Sequence, residues 1–218
     1  MNTTKIIVTT LLGFIINAAS AQNFSANLGY ASDYFYRGAL KSEEAVQSSI
    51  GFDTEVGGFG LSASAFTNQS VDVGSDSYQL ALGASKSFAD DLVIAYGGLN
   101  HFEDIDGEAL FEAAISLSAN VLLSPTLNLY RSIDGEDLFT WEVGVNHKFD
   151  LDVFALCVHG LYGETDLTSS LDSDYYVLGA KASKAISDSA DLSVGADFVD
   201  SDLTEREWVF STAVSINF

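Results

Sequence analysis

From residue 24 to the end of the chain, apolar and polar residues alternate with a period of two. The last segment shows it best. Trp208, Phe210, Thr212, Val214, Ile216 and Phe218 fall on one side of an extended chain, and Glu207, Val209, Ser211, Ala213, Ser215 and Asn217 on the other. Strand side chains point alternately to opposite faces, so this run predicts a strand with one apolar face. About eleven residues is also what one tilted strand needs to cross a bilayer. Earlier apolar sets repeat the pattern: Phe24, Ala26, Leu28 and Tyr30; Val46, Ile50, Phe52 and Val56; Phe59, Leu61, Ala63 and Ala65; Tyr78, Leu80, Leu82 and Ala84. Leu92, Ile94 and Tyr96 suggest a fifth strand, Ala109, Phe111, Ala113, Ile115 and Leu117 a sixth, and Leu127 with Leu129 a short seventh. Phe139, Trp141, Val143 and Val145 are followed by Phe154, Leu156, Val158 and Tyr162, by Tyr176, Leu178 and Ala180, and by Leu192, Val194, Ala196 and Phe198.

Twelve segments predict an all-β, antiparallel, up-and-down transmembrane barrel, with ten strands as the alternative count. A secreted β-sandwich also has short alternating strands. The connections favour the barrel. Short ones are expected at Gly57-Gly58, 89–91, Ser124-Pro125, 150–152 and 187–190, and longer polar ones at 38–44, 68–76, 100–107, 132–137, 163–174 and 200–205. Outer-membrane barrels have short periplasmic turns and longer external loops.

Residues 1–21 read as an export signal: Lys5, an apolar run from Ile6 to Ile16, then Ala19-Ser20-Ala21. The mature domain is therefore expected to be 22–218, with Gln22 offering no lipid attachment site, and its location the bacterial outer membrane. Trp208, Phe210, Val214, Ile216 and Phe218 together form the expected signal for the barrel-assembly machinery. Replacing Phe218 with Asp is expected to leave export intact and impair insertion, which outer-membrane fractionation measures. Wild-type levels of folded protein in that fraction would remove the assembly role.

Charge narrows the partners. With 31 acidic residues against nine basic ones, the net charge is −22, which repels nucleic acid. Lipid, lipopolysaccharide and small solutes are the partners that remain. If the large apolar residues face lipid, the charges on the other phase line the lumen: Asp33, Asp53, Glu55, Glu112, Glu142, Asp197 and Glu207 against Arg37, Lys148 and Lys181. Their neighbours on that phase are mostly Gly, Ala and Ser, such as Ser49, Gly51, Ser64, Gly83, Ala114 and Gly195, which leave room for a narrow wet passage. The lining acids predict a cation-leaning channel, although they could also simply solvate the wall. Oxygen-rich segments such as Glu103-Asp104-Ile105-Asp106 could weakly hold Ca²⁺ or Mg²⁺, but no calcium-loop spacing is matched and solvated loops are the favoured expectation. No other cofactor is expected. His101, His147 and His159 accompany no nucleophile or metal motif, so catalysis is not expected. Cys157 has no partner for a disulfide.

The first strand contains Ser32-Asp33-Tyr34-Phe35-Tyr36-Arg37-Gly38. It resembles the N-terminal motif of the TorF-type putative porins, matching at Ser32, Asp33, Tyr34, Arg37 and Gly38. The resemblance implies an outer-membrane porin-like barrel and brings no substrate or catalytic residue with it. Asp33 and Arg37 are about 13 Å apart along a strand and need partners elsewhere. Closure of the barrel makes Glu207 the candidate partner of Arg37. A rim arginine meeting water and loop acids such as Glu43 is the equal alternative.

Overall fold

Strands that bury no common core must satisfy their backbone edges another way, and here the last strand returns to the first. The computed structural model describes residues 22–104, 109–135, 137–168 and 171–218; the predicted leader lies outside them. The strands are β1 (Gln22–Tyr36), β2 (Ala39–Val56), β3 (Phe59–Ser70), β4 (Ser77–Phe88), β5 (Val93–Asp104) and β6 (Ala109–Ala119). They continue as β7 (Thr126–Ser132), β8 (Phe139–Asp150), β9 (Ala155–Thr168), β10 (Leu171–Ser187), β11 (Ala190–Ser201) and β12 (Thr204–Asn217). All pair antiparallel with their sequence neighbours, and β1 pairs with β12 from Ser25↔Asn217 to Ala31↔Ser211. Closure leaves no open edge, the condition for spanning lipid with strands.

The outer wall is apolar where a bilayer would meet it. Ile50, Ile115, Trp208 and Phe210 are each more than half exposed, which water would not tolerate over so continuous a surface. Aromatic rings gird the end that carries the β1–β2 turn: Trp141 with Tyr162, Tyr176 with Phe198, Phe198 with Trp208, and Tyr78 with His101. At the other end Phe24 packs on Phe52, and Lys86 lies 4.3 Å from the centre of the Phe59 ring. That end, which carries Gln22 and Phe218, is taken as the periplasmic one, as in other barrels of this type.

Two expectations need correction. The fifth strand has the opposite phase: it starts at Val93, and Gly97 and Leu99 face out while Ile94 and Tyr96 face in. Tyr96 fits the lumen because its ring lies over Gly83 and Gly98, where a Cβ would strike it. The large ring thus fills space that two glycines leave.

The second correction concerns the outer connections. Segments 38–44, 163–174 and 200–205 are mostly strand: β2 has 18 residues and β10 has 17, well beyond the roughly ten a membrane strand needs. Meanwhile the periplasmic connection 120–125 is longer than the two-residue turns at 37–38 and 202–203. Polarity on both faces marked where strands leave lipid for water, not where strands end. Strand reach, rather than loop length, distinguishes the two ends.

Candidate functional site

The outer half of the lumen is occupied by the chain's own first hairpin. The β1–β12 ladder stops at Ala31, and β1 then bends inward. Ser32 sits at the bend: its Oγ accepts the Phe210 N–H at 3.0 Å and donates to Asp33 at 2.6 Å. A register shift at Tyr34/Phe35 and a left-handed Glu44 (φ 49°) let both strands turn away from the wall. Phe35 comes to rest on a small apolar patch of Ala31, Val177, Val199 and Val209.

The tip is a two-residue turn with both residues left-handed, Arg37 at φ 51° and Gly38 at φ 76°. Gly38 is needed twice over: for its backbone angle, and because a Cβ there would lie 2.6 Å from that of Tyr175. The Gly38 carbonyl accepts a hydrogen bond from Thr204 Oγ1 at 3.2 Å.

From this tip Arg37 reaches β6, β7 and β8, which stand across the ring from β1. Its two terminal nitrogens donate to the two Glu112 carboxylate oxygens at 2.5 Å each. One nitrogen also lies 3.3 Å from Thr140 Oγ1. The guanidinium carbon is 4.5 Å from the centre of the Tyr130 ring and 4.9 Å from that of Tyr36. Both charges are withdrawn from water, with side chains 11% and 2% exposed. A paired fork in so dry a setting is a strong, geometrically specific contact.

Other contacts anchor the hairpin flanks. Tyr36 stacks on Phe102 with centres 4.2 Å apart. Lys41 pairs with Asp104 at 2.9 Å, and Asn68 donates to Ser42 at 2.8 Å. Tyr34 lies against Phe66. The loop 71–76 follows the hairpin inward, with the Glu43 N–H on the Val73 carbonyl and the Ser75 N–H on that of Lys41.

The seam expected between Arg37 and Glu207 does not form. Glu207 faces inward on β12 opposite Val199, while Arg37 is spent on Glu112. The rim alternative fails for the same reason, since Arg37 is neither at the rim nor on Glu43. Asp33 stays at the bend with Ser32. Glu142 faces inward and accepts three bonds, from Tyr175 at 2.7 Å, Asn128 at 3.1 Å and Tyr130 at 3.3 Å. Asp197 pairs with His159 at 3.0 Å.

Asp53 and Glu55 lie exposed near the periplasmic end of β2. On the facing wall, Lys148 and Lys181 line a cavity of about 490 Å³ with Asp152 and Asp191, and Lys148 pairs with Asp150 at 2.9 Å. In the segment considered for divalent ions, Glu103 is engaged by Tyr78 and His101 on the outer face and Asp104 by Lys41 on the inner one. Residues 105–108 lie outside the described residues.

Sequence reasoning missed Tyr36, Tyr130, Thr140 and Tyr175. The one available signal was size: Tyr130 and Tyr175 are large residues on a phase otherwise held by small ones.

No family model matches the chain, and no curated protein matches it, so the TorF-type resemblance stands on its motif alone. Solved structures do match. The KdgM porin shares 15% identity at a TM-score of 0.59, over 89% of this chain and 99% of its own. The NanC porin shares 10% at 0.59, over 88% and 98%. The COG4313 outer membrane channel from Pseudomonas putida F1 shares 7% at 0.60, over 92% and 96%. At such identities the likeness is one of fold: a closed, twelve-stranded barrel of the outer-membrane type.

Proposed function

We propose that this protein is a narrow, passive, porin-like channel of the bacterial outer membrane for small cationic or neutral solutes, constricted on its outer side by the β1–β2 hairpin. The observation that carries this reading is the contrast between wall and plug. The wall phase is dominated by Gly, Ala and Ser, whereas what crosses the lumen is one hairpin with its companion loop 71–76, anchored through side chains rather than through pairing with the last strand. Eight strands are filled by their own side chains and sixteen leave an open pore, so twelve with a small-residue lining leave a slender one.

Charge supports the cation preference. Glu112 is compensated by Arg37, which leaves Asp33, Asp53, Glu55, Glu142, Asp197 and Glu207 to act against Lys148 and Lys181, with His159 beside Asp197. The KdgM porin has been observed with an oligogalacturonate, an acidic solute; the inward charges here favour the opposite sign. Under a KCl gradient in a planar bilayer, the reversal potential is expected to show K⁺ preferred over Cl⁻. The preference should be strongest in dilute salt, where the screening length is longest, about 30 Å at 0.01 M against about 10 Å at 0.1 M. Neutralising Asp53 and Glu55 together should shrink it. Anion preference in the wild type would overturn the lumen assignment.

The second reading is a non-conducting structural or surface-interaction barrel, favoured by the dry Arg37–Glu112 contact. Absence of any single-channel current from correctly folded protein would select it.

A further inference from the structure

Arg37 is a cation bound in a pocket that the wall mainly builds, the hairpin adding only the Tyr36 ring at 4.9 Å. The Glu112 carboxylate comes from β6, the Tyr130 ring from β7 and the Thr140 hydroxyl from β8. We propose that this pocket is a binding station for guanidinium and alkylammonium groups of passing solutes, and that Arg37 is its tethered occupant. The station deepens the channel reading and rests on it for transit, though not for binding.

Three observations carry the proposal. The first is donor–acceptor fit: a carboxylate accepting both arms of a planar fork, with an aromatic face beside it, is the chemistry that recognises a guanidinium. The second is that the aromatic ring and the hydroxyl of the pocket are held in place without Arg37. Glu142 fixes the Tyr130 and Tyr175 hydroxyls, Asn128 supports Glu142, and Thr140 Oγ1 is tied to Thr165 Oγ1 at 2.6 Å. If Arg37 withdraws, the Glu112 carboxylate on the wall loses its counter-ion and is open to another cation of the same shape.

The third is how the occupant is attached. Beyond Ala31 the hairpin has left the β1–β12 ladder, so withdrawing its tip costs side-chain contacts and the loop 71–76 rather than wall pairing. A tethered group competes at an effective concentration in the millimolar range or above. Free solute therefore exchanges with it only when concentrated.

The test uses Arg37→Ala, and a second variant in which residues 33–43 are replaced by Asn-Gly, so that a folding defect in one does not end the experiment. Refolded protein in micelles is unfolded with urea in the presence of millimolar n-propylguanidinium or its neutral analogue n-propylurea. The cation is expected to raise the unfolding midpoint of both variants and leave the wild type unchanged. Adding Glu112→Gln should weaken its apparent affinity by about tenfold or more, the equivalent of about 1.4 kcal/mol. In planar bilayers the same cation should reversibly block K⁺ current through the variants, with the same dependence on Glu112. Equal responses with and without Glu112, or equal responses to n-propylurea, would overturn the station. Stabilisation without current in any variant would keep the station and remove the channel; current without stabilisation would do the reverse.

Discussion

Glu112→Gln is expected to destabilise the folded barrel by about 3 kcal/mol, because it removes one partner of a withdrawn ion pair and strands the other. The substitution keeps the side chain's shape, so no cavity confuses the result. Arg37 would be left beside Tyr130 and Thr140 with no counter-charge, and water can reach only a small part of it. Combined with Arg37→Gln in a double-mutant cycle, the coupling should be about 2 kcal/mol, at the upper end of what direct contacts give. The same cycle between Arg37 and Glu207 should be additive within about 0.5 kcal/mol. Reversible urea unfolding in lipid vesicles measures both. Additivity in the first cycle would mean that Arg37 does not rest on Glu112 in the folded protein.

Replacing residues 33–43 with Asn-Gly is expected to raise single-channel conductance several-fold. Ser32 and Glu44 then flank a turn whose preferred twist suits a two-residue hairpin. The β1–β12 ladder to Ala31 and its Ser32 cap on Phe210 are retained, so closure is preserved. What disappears are the hairpin's contacts across the lumen, Arg37 on Glu112, the Tyr36–Phe102 stack and the Lys41–Asp104 pair, together with the Glu43 and Lys41 bonds that hold loop 71–76 inward. Unchanged conductance would place the constriction elsewhere. A rise without change in ion preference would assign selectivity to the periplasmic half, where Asp53 and Glu55 lie.

Much of the wall was legible because lipid on one face and a lumen on the other impose a period of two. Trp208 to Phe218 spelled out its strand residue by residue. The rule failed at β5, where Tyr96 is large yet luminal. A pattern of apolarity cannot say that Gly83 and Gly98 have left a recess for it. It failed again above the membrane, where both faces meet water and a strand such as the start of β2 looks like a loop. The Arg37 partner was illegible for a different reason. Alternation constrains which residues share a face of the wall, but says nothing about what meets across the lumen. Glu112 lies 75 positions from Arg37 in sequence and Thr140 lies 103, on strands that never touch β1.

The bend at Ser32 also sets an order of events. Ser32 receives the Phe210 amide, 178 positions later in the chain, and Gly38 receives the Thr204 hydroxyl, 166 positions later. Neither partner is available until the final strand has docked, and contacts this distant in sequence are the slowest to form. The tip of the first hairpin is thus among the last parts to settle. A growing, unclosed sheet has no interior to obstruct, and the moment its two edges meet, the stopper finds its seat. Closure of the barrel and constriction of its lumen therefore go together.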